Sequence, residues 1–409
     1  MKTNWSIKKL GEVAEIIVGK TPATIDYLNS GEYKVLKYRD ITKNGINWNM
    51  NDKGFVKEDS LKGLKKVQIG DLLITSAGHS SEKIGEEAVV VDELPSQFKK
   101  VFFASELICY RASPKIILPK LLLLYILSEF GQNQLKKIIG DSVHLTKEKS
   151  GFIEIPLPGI EDQKRIVKKL EAILEKIEES RTVRQQSAGE TQKILRSVLK
   201  KTFDDLSKRY NKKEIKDFSE VKGGKRLPAG QQFSAVKTEY PYIRVVDFKD
   251  YSIDTAGLRY LGAATQRQIS RYTISDKDAY ISIAGTIGTV GTVPPQLSGA
   301  NLTENAAKIV FNEENGVNNR FIVYFLDSSQ GKEEIKKRTN QVGQPKLALM
   351  RIETIEVPLP DLIEQEKIVA YLDGLSEKVQ SLQKLQKEQL QDLEALQQSV
   401  LHQAFQGEL

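Results

Sequence analysis

Ile155-Pro-Leu-Pro-Gly-Ile-Glu-Asp-Gln163 returns 202 residues later as Val357-Pro-Leu-Pro-Asp-Leu-Ile-Glu-Gln365. The correspondence continues without a gap, so that Ser197-Val198-Leu199 and Phe203 match Ser399-Val400-Leu401 and Phe405. Going backwards, Ser142-Val-His-Leu145 lies opposite Gln344-Pro-Lys-Leu347 at the same offset. Earlier the offset drifts. It is 207 between Gly70-Asp-Leu-Leu-Ile-Thr-Ser-Ala-Gly78 and Lys277-Asp-Ala-Tyr-Ile-Ser-Ile-Ala-Gly285, and 208 between Ile7-Lys-Lys-Leu-Gly-Glu-Val13 and Ile215-Lys-Asp-Phe-Ser-Glu-Val221. The 409 residues therefore read as two copies of one ~200-residue unit, whose ends match closely and whose earlier parts have diverged by loop insertion.

Proline fixes φ and drives the preceding residue away from helix, so Pro-Leu-Pro is extended in both copies. After it each copy turns helical for about 40 residues, ~60 Å at 1.5 Å per residue. Leu372, Leu375, Val379 and Leu382 follow a 3-4-3 spacing, and Leu393, Leu396 and Val400 resume the same heptad frame. In the first copy Leu170, Ile173, Ile177, Ile194 and Val198 hold the equivalent frame. Both helices have a polar waist, with Ser180, Arg184, Ser187 and Thr191 in one and Gln386 and Gln389 in the other. If a two-fold axis relates the copies, the helices run antiparallel and Arg184 and Ser187 lie near Gln386 and Gln389. A buried polar layer of this kind fixes register at a cost in stability. The competing reading is a waist that is solvated or covered by another protein.

Ahead of each helix lies a globular part. Short β-branched or aromatic runs such as Tyr33-Lys-Val-Leu-Lys-Tyr, Asp71-Leu-Leu-Ile-Thr and Tyr280-Ile-Ser-Ile are bounded by Gly, Asp and Asn, as strands and turns are. Apolar helices are expected over 119–128 and 319–327, with Pro119 in a first turn. The fold class is α+β, with boundaries at 1–154 for the first globular domain, 155–208 for the first helix, 209–356 for the second domain and 357–409 for the second helix.

Composition sets the outer limits. The formal charge is +7 and the pI near 9.0, with 40% hydrophobic and 28% charged residues, too apolar for a disordered chain. One cysteine, Cys109, excludes an internal disulfide framework and a multi-cysteine metal site. Three histidines, His79, His144 and His402, leave little for a histidine-built metal centre. The N-terminus lacks a signal-peptide core, and the longest apolar stretch, Ile116 to Leu127, is interrupted by Pro119 and Lys120. The expected location is a reducing cytoplasm, away from membranes.

Two diverged globular parts, each followed by Pro-Leu-Pro, a Glu-x-Gln or Glu-Asp-Gln and a long helix, resemble the specificity subunit of type I restriction–modification systems. The resemblance spans essentially the whole chain. It is carried by Ile155-Pro-Leu-Pro-x-Ile-Glu-Asp-Gln-x-x-Ile166 and Val357-Pro-Leu-Pro-x-Leu-Ile-Glu-Gln-x-x-Ile368. Ala284-Gly-Thr-Ile-Gly288 and Gly343-Gln-Pro-Lys-Leu347 add to it; their first-copy counterparts, Ala77-Gly-His-Ser-Ser and Asp141-Ser-Val-His-Leu145, match less well. The resemblance implies two target recognition domains, each reading one half of a split double-stranded DNA sequence. It implies paired helices that serve as spacer and as platform for two modification subunits. S-adenosylmethionine and adenine methylation belong to those subunits, and ATP with Mg to restriction–translocase subunits; no cofactor is expected in this chain. Half-sites recur at about 34–36 Å per helical turn, a scale that helices of this length can bridge.

No autonomous catalytic motif accompanies this. The sole Pro-Pro, Pro294-Pro295, lacks the Asn or Asp and the aromatic residue of an adenine methyltransferase motif, and there is no Gly-x4-Gly-Lys-Ser/Thr loop. Gly285, Gly288 and Gly291 have neither dinucleotide spacing nor a following helix. Candidate DNA contacts are Lys37, Arg39, His79, Lys99, Lys100, His144 and Lys147 in the first domain. In the second they are Lys225, Arg226, Arg244, Thr286, Gln344 and Lys346. Repeat position guides the choice, since Lys37 aligns with Arg244 and His144 with Lys346. For each single residue the alternative is a solvated surface charge. Gln163 and Gln365 sit in the first helical turn and read as capping, with subunit docking as a second role. The rival to a DNA-recognition subunit is a coiled-coil adaptor that binds proteins through two globular ends. Replacing residues 1–150 with a relative's first domain should change one half of the methylated sequence and leave the other intact. Methylated-adenine sequencing checks this, and a change in both halves contradicts two separate readers.

Overall fold

The structure is a computed structural model and describes residues 5–42, 45–49, 53–76, 85, 87–140, 142, 144–312, 314, 316–340 and 345–409. Its organising helices are α1 (Pro119–Leu127), α2 (Glu129–Ile139), α3 (Ile160–Arg209), α4 (Ala263–Gln268), α5 (Asn319–Asp327), α6 (Ser329–Arg338) and α7 (Leu362–Gln406). The chain divides into two compact units, one of residues 1–184 with 388–409 and one of residues 185–387. Each long helix gives one half to each unit.

In the first unit an inner antiparallel sheet runs in the order Ala88–Val90, Asp71–Thr75, Leu107–Ala112, Ala14–Val18. Side chains alternate across its third strand. Ile108, Tyr110 and Ala112 join the core beneath α1, whereas Leu107 and Cys109 join a second core on the opposite face. An outer mixed sheet follows the order Tyr27–Leu28, Phe55–Val56, Tyr33–Leu36, Lys100–Phe103, Lys65–Lys66, with a parallel pair at its centre. Pro119 opens α1, and Ser128 ends it while capping α2 through the Gly131 N–H. Ile166, Val167 and Leu170 of α3 and Leu401, Ala404 and Phe405 of α7 belong to the same core as Leu121, Leu122 and Ile126 of α1.

The second unit repeats the plan. Its inner sheet runs Val290–Thr292, Ala279–Ser282, Ala306–Phe311, Ser219–Gly223. Its outer sheet runs Arg259–Tyr260, Pro241–Ile243, Ala300–Leu302, Thr273–Ile274. Leu199, Phe203 and Leu206 of α3 and Val369 and Leu372 of α7 join the core formed by Phe321, Tyr324 and Phe325 of α5. Register corrects one sequence pairing. Lys9 faces Glu154 and Glu214 faces Glu356, so the first strands correspond at an offset of 205, not 208. The shared Glu-Val drew the sequence comparison three residues out of phase.

Helices α3 and α7 contain 50 and 45 residues and continue through their polar middles. Within each unit they run antiparallel. In the first, Arg181 meets Gln397 and Arg184 donates to Gln389 Oε1 at 2.9 Å. In the second, the buried Gln386 amide donates to Ser187 Oγ at 3.1 Å and Thr191 Oγ1 at 2.9 Å. The heptad frame does not hold throughout, because Ile194, Leu382 and Leu396 are exposed. A straight helix drifts about 20° per heptad from a strict 3.5 repeat. Buried positions on α3 accordingly pass from Leu170 and Ile177 to Thr191, Leu199 and Phe203.

Gln163 and Gln365 do not cap their own helices. Gln163 Oε1 accepts from Leu118 N at 2.9 Å, and Nε2 donates to Ile116 O at 2.8 Å and Pro158 O at 2.9 Å. Gln365 Oε1 accepts from Asn318 N at 2.9 Å, and Nε2 donates to Gly316 O at 3.3 Å and Pro360 O at 2.9 Å. Each amide ties the long helix to the chain entering α1 or α5. Ion pairs one turn or two further on, Lys120–Glu171 and Arg320–Asp373, reinforce the joint.

The waist favours register over stability. Gln386 Oε1 is buried with no partner among the described residues, while Thr191 Oγ1 already donates to Ser187 O at 2.9 Å. Gln386→Leu removes an orphaned acceptor, so it should stabilise the second unit by about 1 kcal/mol. A raised unfolding midpoint in thermal or urea denaturation checks this.

Candidate nucleic-acid interface

The basic excess is concentrated in two segments. Residues 20–66 carry ten Lys/Arg against six Asp/Glu, and residues 222–272 carry nine against four, so together they exceed the net +7 of the whole chain. Both segments contain outer-sheet strands. The remainder is slightly acidic. Counting charge in windows finds these segments directly; averaging over the chain conceals them.

In the first unit, Lys37 precedes and Arg39 lies within a 3-10 turn, Tyr38–Asp40, that follows a central outer strand. Asp40 is buried, and burial pushes its carboxyl up against the opposing pull of the Lys37 N–H and the Lys34 ammonium. Lys37 Nζ lies 4.4 Å from the Tyr27 ring centre and donates to Lys53 O at 2.7 Å. Lys99 pairs with Glu32 at 2.6 Å, an exposed contact that is easily exchanged. Lys100, His144 and Lys147 are exposed. The N–H of Leu145, next to His144, donates to Ser76 O at 2.8 Å. His79 itself lies outside the described residues.

In the second unit the same turn recurs as Arg244 followed by Val245–Asp247. The Arg244 guanidinium donates to both carboxylate oxygens of buried Asp247, at 3.1 and 2.7 Å, and to Gly257 O at 2.8 Å. Lys37 and Arg244 thus share a position and are both engaged with the surrounding turn. Arg226 pairs with Glu304 at 2.7 Å. Burial raises the Glu304 carboxyl, but the hydrogen bonds from Arg226 and Thr303 prevail and hold it below its ordinary value. Thr286 is exposed between Gly285 and Gly288, both at positive φ. Ala284 bridges to Lys346, which brings Lys346 beside the segment that continues from the inner strand Ala279–Ser282 to Thr286. Gln344 lies outside the described residues. Arg184, Ser187, Gln386 and Gln389 belong to the helix pair described above.

One member of a shared pair of cations, Lys20, escaped the sequence reading, which named only Lys225. Gly19-Lys20 and Gly224-Lys225 both leave the inner sheet for the outer one, at an offset of 205. A Cβ at Gly19 would sit 2.0 Å from Ala104 O, and one at Gly224 2.0 Å from Thr303 O, so only glycine fits either crossing. Lys20 Nζ reaches Lys62 O at 3.4 Å, and Lys225 Nζ lies 5.6 Å from the Tyr272 ring centre. In both units the lysine reaches the connection that crosses the outer sheet to an edge strand, Lys65–Lys66 in the first and Thr273–Ile274 in the second. The paired Gly-Lys was the available signal. A lysine in two otherwise diverged readers suits a phosphate, which is common to every DNA sequence. Lys20→Gln or Lys225→Gln should weaken DNA binding about equally for all sequences and reduce the slope of log Kobs against log salt by about one each. Salt titration of the assembled complex measures this.

Among the described residues no helix is long and apolar enough to cross a membrane, and no group of three His, Cys, Asp or Glu is placed to hold a metal ion. The sequence matches the Type I restriction modification DNA specificity domain twice, over residues 2–186 and 207–391. It is 21% identical to the Type I restriction enzyme StySPI specificity subunit of Salmonella potsdam, over 99% of this chain and 89% of that one. It is 25% identical to the EcoBI specificity subunit of Escherichia coli, over 65% of this chain and 60% of that one. The putative MjaX specificity subunit of Methanocaldococcus jannaschii is 25% identical over 95% of this chain and 90% of its own length. Among solved structures, a chain from a study of complex assembly and conformational transition of the type I R-M system superposes with a TM-score of 0.80, at 21% identity, over 99% of this chain and 98% of that one. The HsdS subunit from Thermoanaerobacter tengcongensis gives 0.55, also at 21% identity, over 100% and 98%. With both copies matched and most of the chain covered, the protein belongs to the type I restriction–modification DNA specificity domain family.

Proposed function

We propose that this chain is the non-catalytic DNA-recognition subunit of a cytoplasmic type I restriction–modification complex, with each domain reading one half of a split target. The observation that carries this reading is the doubled unit, matched twice to a DNA specificity domain, with the basic excess concentrated in the outer lobe of each copy. Two readers of the same fold and different surface chemistry suit two different half-sites.

Two modification subunits dock on the long helices, and they bring S-adenosylmethionine and the methyl-transfer chemistry. Restriction–translocase subunits bring ATP and Mg. Exposed apolar side chains on the helix pair support a docking role. They include Ile194, Leu382 and Leu385 in the second unit, and Val183 and Leu396 in the first. The polar waist fits the same role, since fixed register keeps the docking residues in a constant arrangement.

Co-expression with its modification subunit should place methyl groups on adenines of one bipartite motif, and deletion of this chain should abolish that motif. An unchanged methylome would sink the proposal. Sequence-independent binding by the complex would favour a protein-binding adaptor.

A further inference from the structure

Arginine is the side chain whose planar fork matches the O6 and N7 edge of guanine in the major groove. The chain has fifteen arginines, and most of their forks are occupied. Arg111, Arg165, Arg209, Arg226, Arg244, Arg320 and Arg338 pair with carboxylates. Arg181, Arg184 and Arg351 donate within or between helices and loops, and Arg39 is also engaged. Among the described residues, four guanidinium groups make no hydrogen bond or ion pair: Arg196 on α3, and Arg259, Arg267 and Arg271. Three of the four lie within thirteen residues of one another, and all three are exposed. From Thr255 to Ser275 the chain carries no Asp or Glu that could engage them.

Their placement is as selective as their lack of partners. Arg259 is on one edge strand of the outer sheet, and Arg271 stands two residues before the opposite edge strand, Thr273–Ile274. Arg267 is on α4, in the connection between them. Three inter-strand spacings of ~4.8 Å make this span ~14 Å, about four base-pair steps at 3.4 Å each. Tyr242, Leu261 and Ile269 form a buried core for this lobe, with Phe233, Tyr240 and Tyr272 packed against it. The connection is therefore held in place, whereas its arginine forks remain free.

The first unit has a different connection at the same place. Between the strand Phe55–Val56, second in its outer sheet, and the edge strand Lys65–Lys66 runs Lys57-Glu-Asp-Ser-Leu-Lys-Gly-Leu64, with two carboxylates and no arginine. Lys20 and Lys225 flank these two connections in the same way. The constant lysine beside a variable connection is the arrangement expected where backbone contact is shared and base contact differs.

We propose that Arg259, Arg267 and Arg271 are the guanine-reading residues of the second domain, so that its half-site contains guanine and the first domain's half-site is read by other chemistry. This rests on the proposed DNA-recognition role and deepens it. The test replaces each arginine with lysine in the full chain co-expressed with its modification subunit, and sequences methylated adenines. Lysine retains the charge and loses the fork. Preference for guanine at one position of the second half-site should fall about tenfold or more in at least one variant. The first half-site, the gap and the unfolding midpoint should remain as in the unmodified chain. An unchanged motif in all three variants overturns the assignment. So does a uniform loss across sequences, which marks phosphate contacts, or a second half-site without guanine. Absence of any split motif with the unmodified chain defeats the recognition role itself, a result distinct from these.

Discussion

A primary amide is the one uncharged side-chain group that offers two donors and an acceptor at a single point, and each half of this protein is built around one. Gln163 and Gln365 satisfy three backbone groups each in places closed to water. Two of the three belong to the globular part and one to the Pro-Leu-Pro segment. A leucine of similar size would strand all three, at about 1–3 kcal/mol for each buried unsatisfied group. The direction in which each long helix leaves its domain is set here. The shared core of α1, α3 and α7 in the first unit, and of α3, α5 and α7 in the second, follows from that direction.

The repeat, the extended Pro-Leu-Pro, the two long helices and the facing polar waists were legible because each depends on local sequence or on spacing along one helix. Arg184 opposite Gln389 and Gln386 opposite Ser187 needed only the doubled chain and an antiparallel sense. What escaped depends on geometry between elements. Gln163 sits in a first turn, where a cap is the natural expectation, and its partners come from a segment 45 residues away. Leu382 and Leu396 fit a heptad that the straight helix does not keep. Nothing in the sequence around Arg244 shows that its guanidinium engages buried Asp247.

Two related halves in one chain offer a comparison that a single domain lacks. What both halves keep must serve something common to both, such as a fold, a partner or the DNA backbone. Gly-Lys at 19–20 and 224–225, the 3-10 turn with its buried Asp, and the glutamine joint fall in this group. What differs lies in the connections across the outer sheets, where one half carries carboxylates and lysines and the other arginines. The net charge of the chain is modest because it averages two basic lobes with a neutral-to-acidic frame.

Phe405 packs edge-to-face on Tyr125, and Leu401 and Ala404 lie beside it in the core of the first unit. The second unit is drawn from one uninterrupted stretch, 185–387, whereas the first needs residues from both ends of the sequence. At 5–20 residues per second, a ribosome that has passed Ile155 takes roughly 10–50 s to reach Phe405. Throughout that interval Leu121, Leu122 and Leu170 lack part of their cover. The half that is translated first is therefore the half that can be completed only last, and synthesis and closure proceed in opposite orders.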